Sequence, residues 1–165
     1  MKQEFADLID HYAHGGEKLS LAIRGLTLED MQIAPPPEQP KLGKWTIQQV
    51  VIHLLDSDLI STDRLKRMIA EDNPTLIGYD ETKFAEKLFY NEQSPEDAVT
   101  IISLNRKVFA GVLRRLPDSA FDRPGMHSER GNVTAGNQLK LYTDHLEHHL
   151  AFIHAKRAAM GKEMW

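Results

Sequence analysis

The sequence predicts an all-α protein, a four-helix bundle formed by a single domain that spans residues 1–165. Apolar residues recur at helical spacing in four long segments, and no segment shows a convincing strand pattern. Prolines, glycines and helix-capping residues separate these segments. A chain of 165 residues is also long enough to bury one sizeable core.

The first long helix is predicted between Phe5 and Leu26, with a possible kink in its middle. The sequence "HGG" at 14–16 places two glycines together, which weakens a helix by roughly 2 kcal/mol relative to alanine. A short turn then begins at Thr27. The prolines of "APPPEQP" (34–40) end it, because proline blocks helical continuation.

The second long helix begins at Thr46, which together with Gln49 matches a capping box. The sequence "EDNP" (71–74) ends it. The polar segment 75–93 contains "DETKFAEKLF", which fits a short helix. A long connection is therefore predicted after the second helix.

The third long helix begins at Ser94 and Pro95, a cap residue followed by proline at the first helical position. Residues 116–132 are predicted to form a loop, so a second long connection follows this helix. The fourth helix is predicted from about Thr134 to about Met160.

Composition excludes several classes of function. The chain carries 20 Lys and Arg against 24 Asp and Glu, a net charge of −4 that disfavours a nucleic-acid-binding surface. It has no cysteine, so any metal must use histidine, carboxylate, backbone or water ligands. No segment resembles a signal peptide or approaches the length of a membrane span. We therefore expect a cytoplasmic protein without membrane or nucleic-acid partners.

Four of the eight histidines lie between Leu141 and His154, in "LYTDHLEHHLAFIH". On a helical wheel, His145 and His149 lie on one side at the edge of the apolar arc, whereas His148 points away from it. Two histidines at positions i and i+4 on an inward face can hold a metal ion. The alternative is that both are boundary residues bonded to carbonyl groups or water.

A three-ligand site needs one more residue from another helix. His53 borders the apolar face of the second helix, about two turns after its start. If the second and fourth helices pack side by side, His53 can meet the pair inside the bundle. His127 lies in the loop before the fourth helix, which could fold over the bundle mouth.

Two stretches resemble the DinB-like superfamily, which includes the bacillithiol S-transferases: "GKWTIQQVVIHLLDSD" and "DHLEHHLAFI". The family pattern has a Trp-Ser/Thr helix start, a histidine followed by two apolar residues and Asp, and a terminal H-x-x-H-H. The matching positions here are Trp45, Thr46, His53, Leu54, Leu55, Asp56, His145, His148 and His149. The resemblance implies a four-helix bundle with a divalent metal held by His53, His145 and His149.

The resemblance also implies a function: a metal-dependent enzyme, either a thiol S-transferase or a hydrolase, that acts on a small-molecule substrate. Imidazole ligands favour zinc or nickel, with iron or manganese as alternatives. A low-molecular-weight thiol is a possible co-substrate, and it would come from solution. The sequence assigns no catalytic residue. The alternative function is a non-catalytic, dimeric helical bundle, a stress-related binding module whose metal is structural or absent.

Several other residues have two interpretations. Asp56, Asp144 and Glu147 could orient the histidines, but solvated helix acids are the better expectation. Arg106 interrupts an apolar stripe of the third helix, and we expect it to pair with an acid.

A homodimer is also predicted, because several apolar residues lie outside the main apolar stripes of their helices. The alternative is that these residues contact the long connections. They are Ile52, Ile60, Leu141 and Phe152.

Overall fold

The computed structural model of the protein describes residues 1–163 and confirms the predicted helical bundle. Within these residues there are seven α-helices: α1 (Gln3–Ala13), α2 (Gly15–Ile23), α3 (Leu28–Met31), α4 (Ile47–Ala70), α5 (Glu81–Lys87), α6 (Pro95–Leu113) and α7 (Ala135–Ala159). There are also three short strands: β1 (Thr75–Leu76), β2 (Pro124–His127) and β3 (Gly131–Thr134). The last two residues of the predicted 1–165 domain lie outside the described part, and its single-domain extent stays a prediction.

The three longest helices begin where their capping residues predict. Thr46 caps α4, with its hydroxyl accepting from the backbone N–H of Gln49 at 3.1 Å while the Gln49 side chain accepts from the Thr46 N–H at 3.0 Å. Ser94 and Thr134 likewise cap α6 and α7. These caps satisfy N–H groups that a helix start leaves without partners.

The first predicted helix is divided in two at His14, where the sequence indicated a kink. Its two glycines also allow α2 to approach α6 closely. A Cβ atom on Gly16 would lie 2.5 Å from the Cα of Ser103, and one on Gly15 would collide with the guanidinium of Arg106. The glycines therefore cost helix propensity but permit a close contact between two helices.

A buried polar layer lies between two apolar clusters of the bundle. At its centre, Arg106 of α6 donates from Nε to Oδ1 of Asp58 in α4 at 2.6 Å. The same guanidinium donates to the backbone carbonyls of Tyr12 in α1 and Tyr142 in α7. The expectation that Arg106 pairs with an acid is confirmed, and this one side chain bonds α6 to the other three long segments.

The two long connections are confirmed, but they are not simple loops. Residues 75–76 pair in parallel with 126–127, and 124–127 pair antiparallel with 131–134, so the connections form a small three-stranded sheet. The prediction of a loop over 116–132 is wrong in this respect. Strands of two to four residues are too short to show a period of two in the sequence.

The apolar residues that suggested a dimer have several different surroundings. Ile52 is fully buried in the core, so it offers no surface to a second copy. Leu141 lines a cavity, and the ring of Phe152 packs against that of His148. The homodimer stays a prediction.

In the part of the chain that the structure describes, none of the helices has the length and apolar character needed to cross a membrane.

Removing the carboxylate of the central ion pair should destabilise the bundle strongly. Asp58→Ala is expected to lower the free energy of unfolding by about 3–5 kcal/mol, because it leaves a buried guanidinium unpaired. Urea denaturation measures the change. Asp144→Ala is the matched control, since Asp144 pairs with Lys140 in an exposed position and its loss should cost about 1 kcal/mol or less. Equal effects of the two substitutions would contradict a central role for the Asp58–Arg106 pair.

Candidate metal centre

The three histidines selected from the sequence lie together inside the bundle. His53 is in α4, His145 and His149 are one turn apart in α7, and the two helices pack against each other. The Nε2 atom of His145 lies 3.2 Å from Nε2 of His53 and 3.1 Å from Nε2 of His149. One ring nitrogen from each residue lies within 4.8 Å of the others.

Hydrogen bonding alone does not explain this arrangement well. A ring nitrogen carries either one proton or one lone pair, so Nε2 of His145 cannot form a good hydrogen bond with both neighbours. A metal ion accepts all three lone pairs at once. For Zn–N distances of about 2.0–2.1 Å and tetrahedral angles, two imidazole nitrogens lie about 3.3 Å apart, close to the observed spacing. The donor set therefore fits a divalent ion such as zinc or nickel.

Burial keeps the three imidazoles uncharged. It is the main cause that lowers the pKa of His53 to about 3, of His145 to about 4 and of His149 to about 2. Repulsion adds to this effect: His145 acts on both His53 and His149, and His148 acts on His145. Near neutral pH the ring lone pairs are therefore free to bind a cation.

The second ring nitrogens have few partners. Nδ1 of His145 lies 3.5 Å from the hydroxyl of Ser57, whereas Nδ1 of His53 and of His149 are buried without a hydrogen-bond partner in residues 1–163. The acids considered from the sequence are engaged elsewhere. Their partners are Tyr90 for Asp56, Lys140 for Asp144, and His11 and Lys18 for Glu147. None of the three orients a histidine of the cluster.

Trp45 covers one side of the cluster. Its ring centroid lies 4.7 Å from that of His53 and 6.4 Å from that of His149, with the Trp45 and His149 rings only 12° from parallel. The residue directly precedes the cap of α4, so the start of this helix fixes its position relative to His53. Its indole therefore packs against two of the three imidazoles.

A cavity of about 370 Å³ lies on another side of the cluster and reaches His145. Residues of α4, α7 and both long connections line it: Ser57, Arg64, Gly78, Tyr79, Asp80, Glu81, His127, Glu129, Arg130, Leu141, Tyr142 and His145. His127, at the end of β2, is one of the lining residues. A carboxylate oxygen of Glu81 lies 3.8 Å from Nε2 of His53.

Sequence reasoning missed most of the polar residues of this cavity. Tyr79, Glu81 and Arg130 lie in the long connections, whose paths no local pattern predicts. Arg64 did carry a signal, because it follows His53 by eleven residues and therefore lies only about 20° away on the wheel of the same helix.

The profile of the DinB superfamily matches residues 11–153, which is most of the chain. The chain belongs to the DinB superfamily. A relative in Oceanobacillus iheyensis, named "Putative metal-dependent hydrolase", is 37% identical over 111 residues, covering 67% of this chain and 64% of the relative. YfiT of Bacillus subtilis, which carries the same description, is 32% identical over 145 residues, covering 87% of this chain and 79% of YfiT.

The solved structure of YfiT is similar over 98% of this DinB-superfamily chain and 90% of YfiT, with a TM-score of 0.88 and 28% identity. It is described as "a probable metal-dependent hydrolase with an unusual four-helix bundle topology". The match confirms the bundle with long connections that the sequence predicts.

Each of the three histidines should be needed for metal binding. Replacing His53, His145 or His149 by alanine leaves two imidazoles, so the protein should lose its binding of about one Zn²⁺ or Ni²⁺ per chain. Equilibrium dialysis of protein without a histidine tag, followed by elemental analysis, measures this content. His148→Ala is the control, because its exposed ring lies outside the cluster. Unchanged metal content in all three variants, or an equal loss in His148→Ala, would contradict the assignment.

The same burial makes the metal-free protein sensitive to acid. The folded-state pKa of each clustered histidine lies below the value of 6.5 for free histidine, so the unfolded chain binds more protons. The free energy of unfolding should therefore fall as the pH is lowered from about 7 to about 5. Urea titrations at several pH values measure the slope, which His149→Leu should reduce and the exposed control His154→Gln should not. A flat profile would show that the histidines are not buried in this way.

Proposed function

We propose that this DinB-superfamily protein is a metal-dependent hydrolase in which His53, His145 and His149 hold a divalent metal ion beside a polar cavity. The observation that carries this proposal is the convergence of three uncharged imidazoles, one buried and two partly buried, beside that cavity, which His145 lines. The descriptions of the relatives support it. Zinc or nickel suits the imidazole donors best, followed by iron or manganese.

A bound ion would supply a Lewis acid that polarises a substrate carbonyl or a water molecule. The chain itself provides groups that handle protons. Glu81 carries the carboxylate nearest to His53, at 3.8 Å, and its side chain is 59% exposed, so it can take a proton from a water molecule in the cavity. We assign it the role of general base.

Tyr79 provides the complementary donor. Burial raises the pKa of its hydroxyl to about 12, and it lies beside Ser57 in the same cavity. The phenol therefore stays protonated near neutral pH and can donate a hydrogen bond to a substrate oxygen. A base and a donor in one cavity suit hydrolysis of an ester or amide.

Transfer of a low-molecular-weight thiol is the second candidate. The cavity of about 370 Å³ is open and polar, so it can admit a thiol from solution next to the histidines. The protein has no cysteine, so the thiol would have to be a separate molecule. The same ion would favour the thiolate form, which is the nucleophile. A non-catalytic module remains the outcome if no substrate reacts.

Activity should depend on the histidine cluster and on Glu81. We expect the zinc- or nickel-loaded protein to hydrolyse esters or amides in a substrate panel, with thiol conjugation to electrophiles assayed in parallel. His149→Ala should reduce the rate to that of the reaction without protein, and Glu81→Gln should lower kcat while metal content is retained. His148→Ala should keep full activity. Activity that persists in His149→Ala would contradict the metal role, and failure of every substrate would favour the non-catalytic module.

A further inference from the structure

We propose that the cavity contains an anion subsite centred on Arg64, which selects small substrates that carry a carboxylate or phosphate group. The placement of the hydrolysable bond of such a substrate near His145 rests on the proposed function. The subsite itself rests on the surroundings of Arg64, which are independent of any metal ion.

Arg64 is buried, with only 6% of its surface exposed, and it lines the cavity. One terminal nitrogen donates to the hydroxyl of Tyr142 and the other to the backbone carbonyl of Ile77. The N–H at Nε has no partner among residues 1–163. A guanidinium has five N–H groups, so the neutral acceptors around Arg64 satisfy fewer than half of them.

The charge of Arg64 is also uncompensated. Within the described residues, no carboxylate oxygen lies within 4.0 Å of its guanidinium, whereas Arg106, which is also buried, pairs with Asp58 at 2.6 Å. Taking an unpaired guanidinium out of water is costly, and a counter-charge offsets that cost. Asp58 supplies this counter-charge for Arg106. For Arg64, a bound anionic ligand would supply it.

A purely structural role explains Arg64 less well. Arg157, another buried arginine, donates to the carbonyls of Ala22, Arg24 and Lys162, so its Nε is satisfied and it ties chain segments together. Arg64 makes fewer such bonds and borders a cavity instead. A buried cation that faces a cavity and lacks a carboxylate partner is what an anion-binding site requires.

The cavity lining holds a second arginine, Arg130, together with the acids Asp80, Glu81 and Glu129. Burial is the main cause that lowers the pKa of His127, and the charges of Arg64 and Arg130 lower it further. Glu129 acts in the opposite direction but more weakly than either arginine. Both arginines therefore favour the uncharged form of His127.

The subsite and the histidine cluster are close enough to bind one small molecule together. Tyr142 links them, because its hydroxyl accepts from Arg64 while its ring centroid lies 6.5 Å from that of His145. The cavity volume of about 370 Å³ is typical of sites for small molecules. The geometry therefore suits a substrate whose anionic group binds Arg64 and whose hydrolysable bond lies near His145.

Anion binding to the metal-free protein tests the subsite directly. Sodium phosphate and sodium acetate are titrated separately at constant ionic strength, with chloride as the balancing salt, and chemical shifts of the backbone amides are followed by NMR. We expect saturable binding with shifts at the cavity. Arg64→Gln should weaken binding about tenfold or more, and Arg64→Lys should restore part of it. The preferred anion decides between phosphate and carboxylate.

Arg67→Gln is the matched control, because Arg67 lies on the same helix but is exposed and pairs with Asp63. It should leave anion binding unchanged. If Arg64→Gln does not fold, Arg130→Gln is the alternative test. Arg130 is exposed and lines the same cavity, so its substitution should weaken anion binding. Absence of saturable binding for both anions, or unchanged binding in Arg64→Gln and Arg130→Gln, would overturn the subsite.

The subsite and the proposed function can fail separately. Anion binding at Arg64 without any hydrolysis would leave the subsite standing and contradict the hydrolase. Conversely, equal kcat/KM values for a neutral ester and its carboxylated or phosphorylated analogue would overturn the substrate class while the hydrolase stands. In the expected case Arg64→Gln raises KM for the anionic substrate only.

Discussion

The buried ion pair between Arg106 and Asp58 is the interaction on which the rest of the bundle depends. It joins α6 to α4, and the same guanidinium bonds to the carbonyls of Tyr12 and Tyr142 in α1 and α7. A buried charge tolerates little displacement of its partner, because an unpaired ion in the interior is expensive. The pair therefore fixes the relative positions of the helices in a way that apolar contacts alone would not.

That fixed packing determines the chemistry of the histidine cluster. Asp58 lies five residues after His53, and Tyr142 lies three residues before His145, so the ion pair sets the register of α4 against α7 close to the site. The helices bring three buried or partly buried imidazoles together, and Trp45 packs against two of them. Burial then keeps the rings uncharged, which is the form that binds a metal ion.

The sequence predicted those features that follow from helical periodicity. His145 and His149 were paired by their spacing, and His53 by its place after the cap at Thr46. The prediction that Ile52 lies on the surface was wrong. Other elements surround α4 on several sides, so Ile52 is buried in the core. The small sheet and the position of Tyr79 depend on pairing between segments about fifty residues apart, which no local pattern reveals. The cavity and its anion subsite were therefore visible only in three dimensions.

The most direct test of the account is a crystal structure of the zinc- or nickel-loaded protein, with diffraction recorded at the absorption edge of the metal. We expect one anomalous peak bonded to a ring nitrogen of each of His53, His145 and His149, at about 2.0–2.1 Å for zinc. A peak at any other place in the chain, or coordination that omits one of the three histidines, would contradict the central claim.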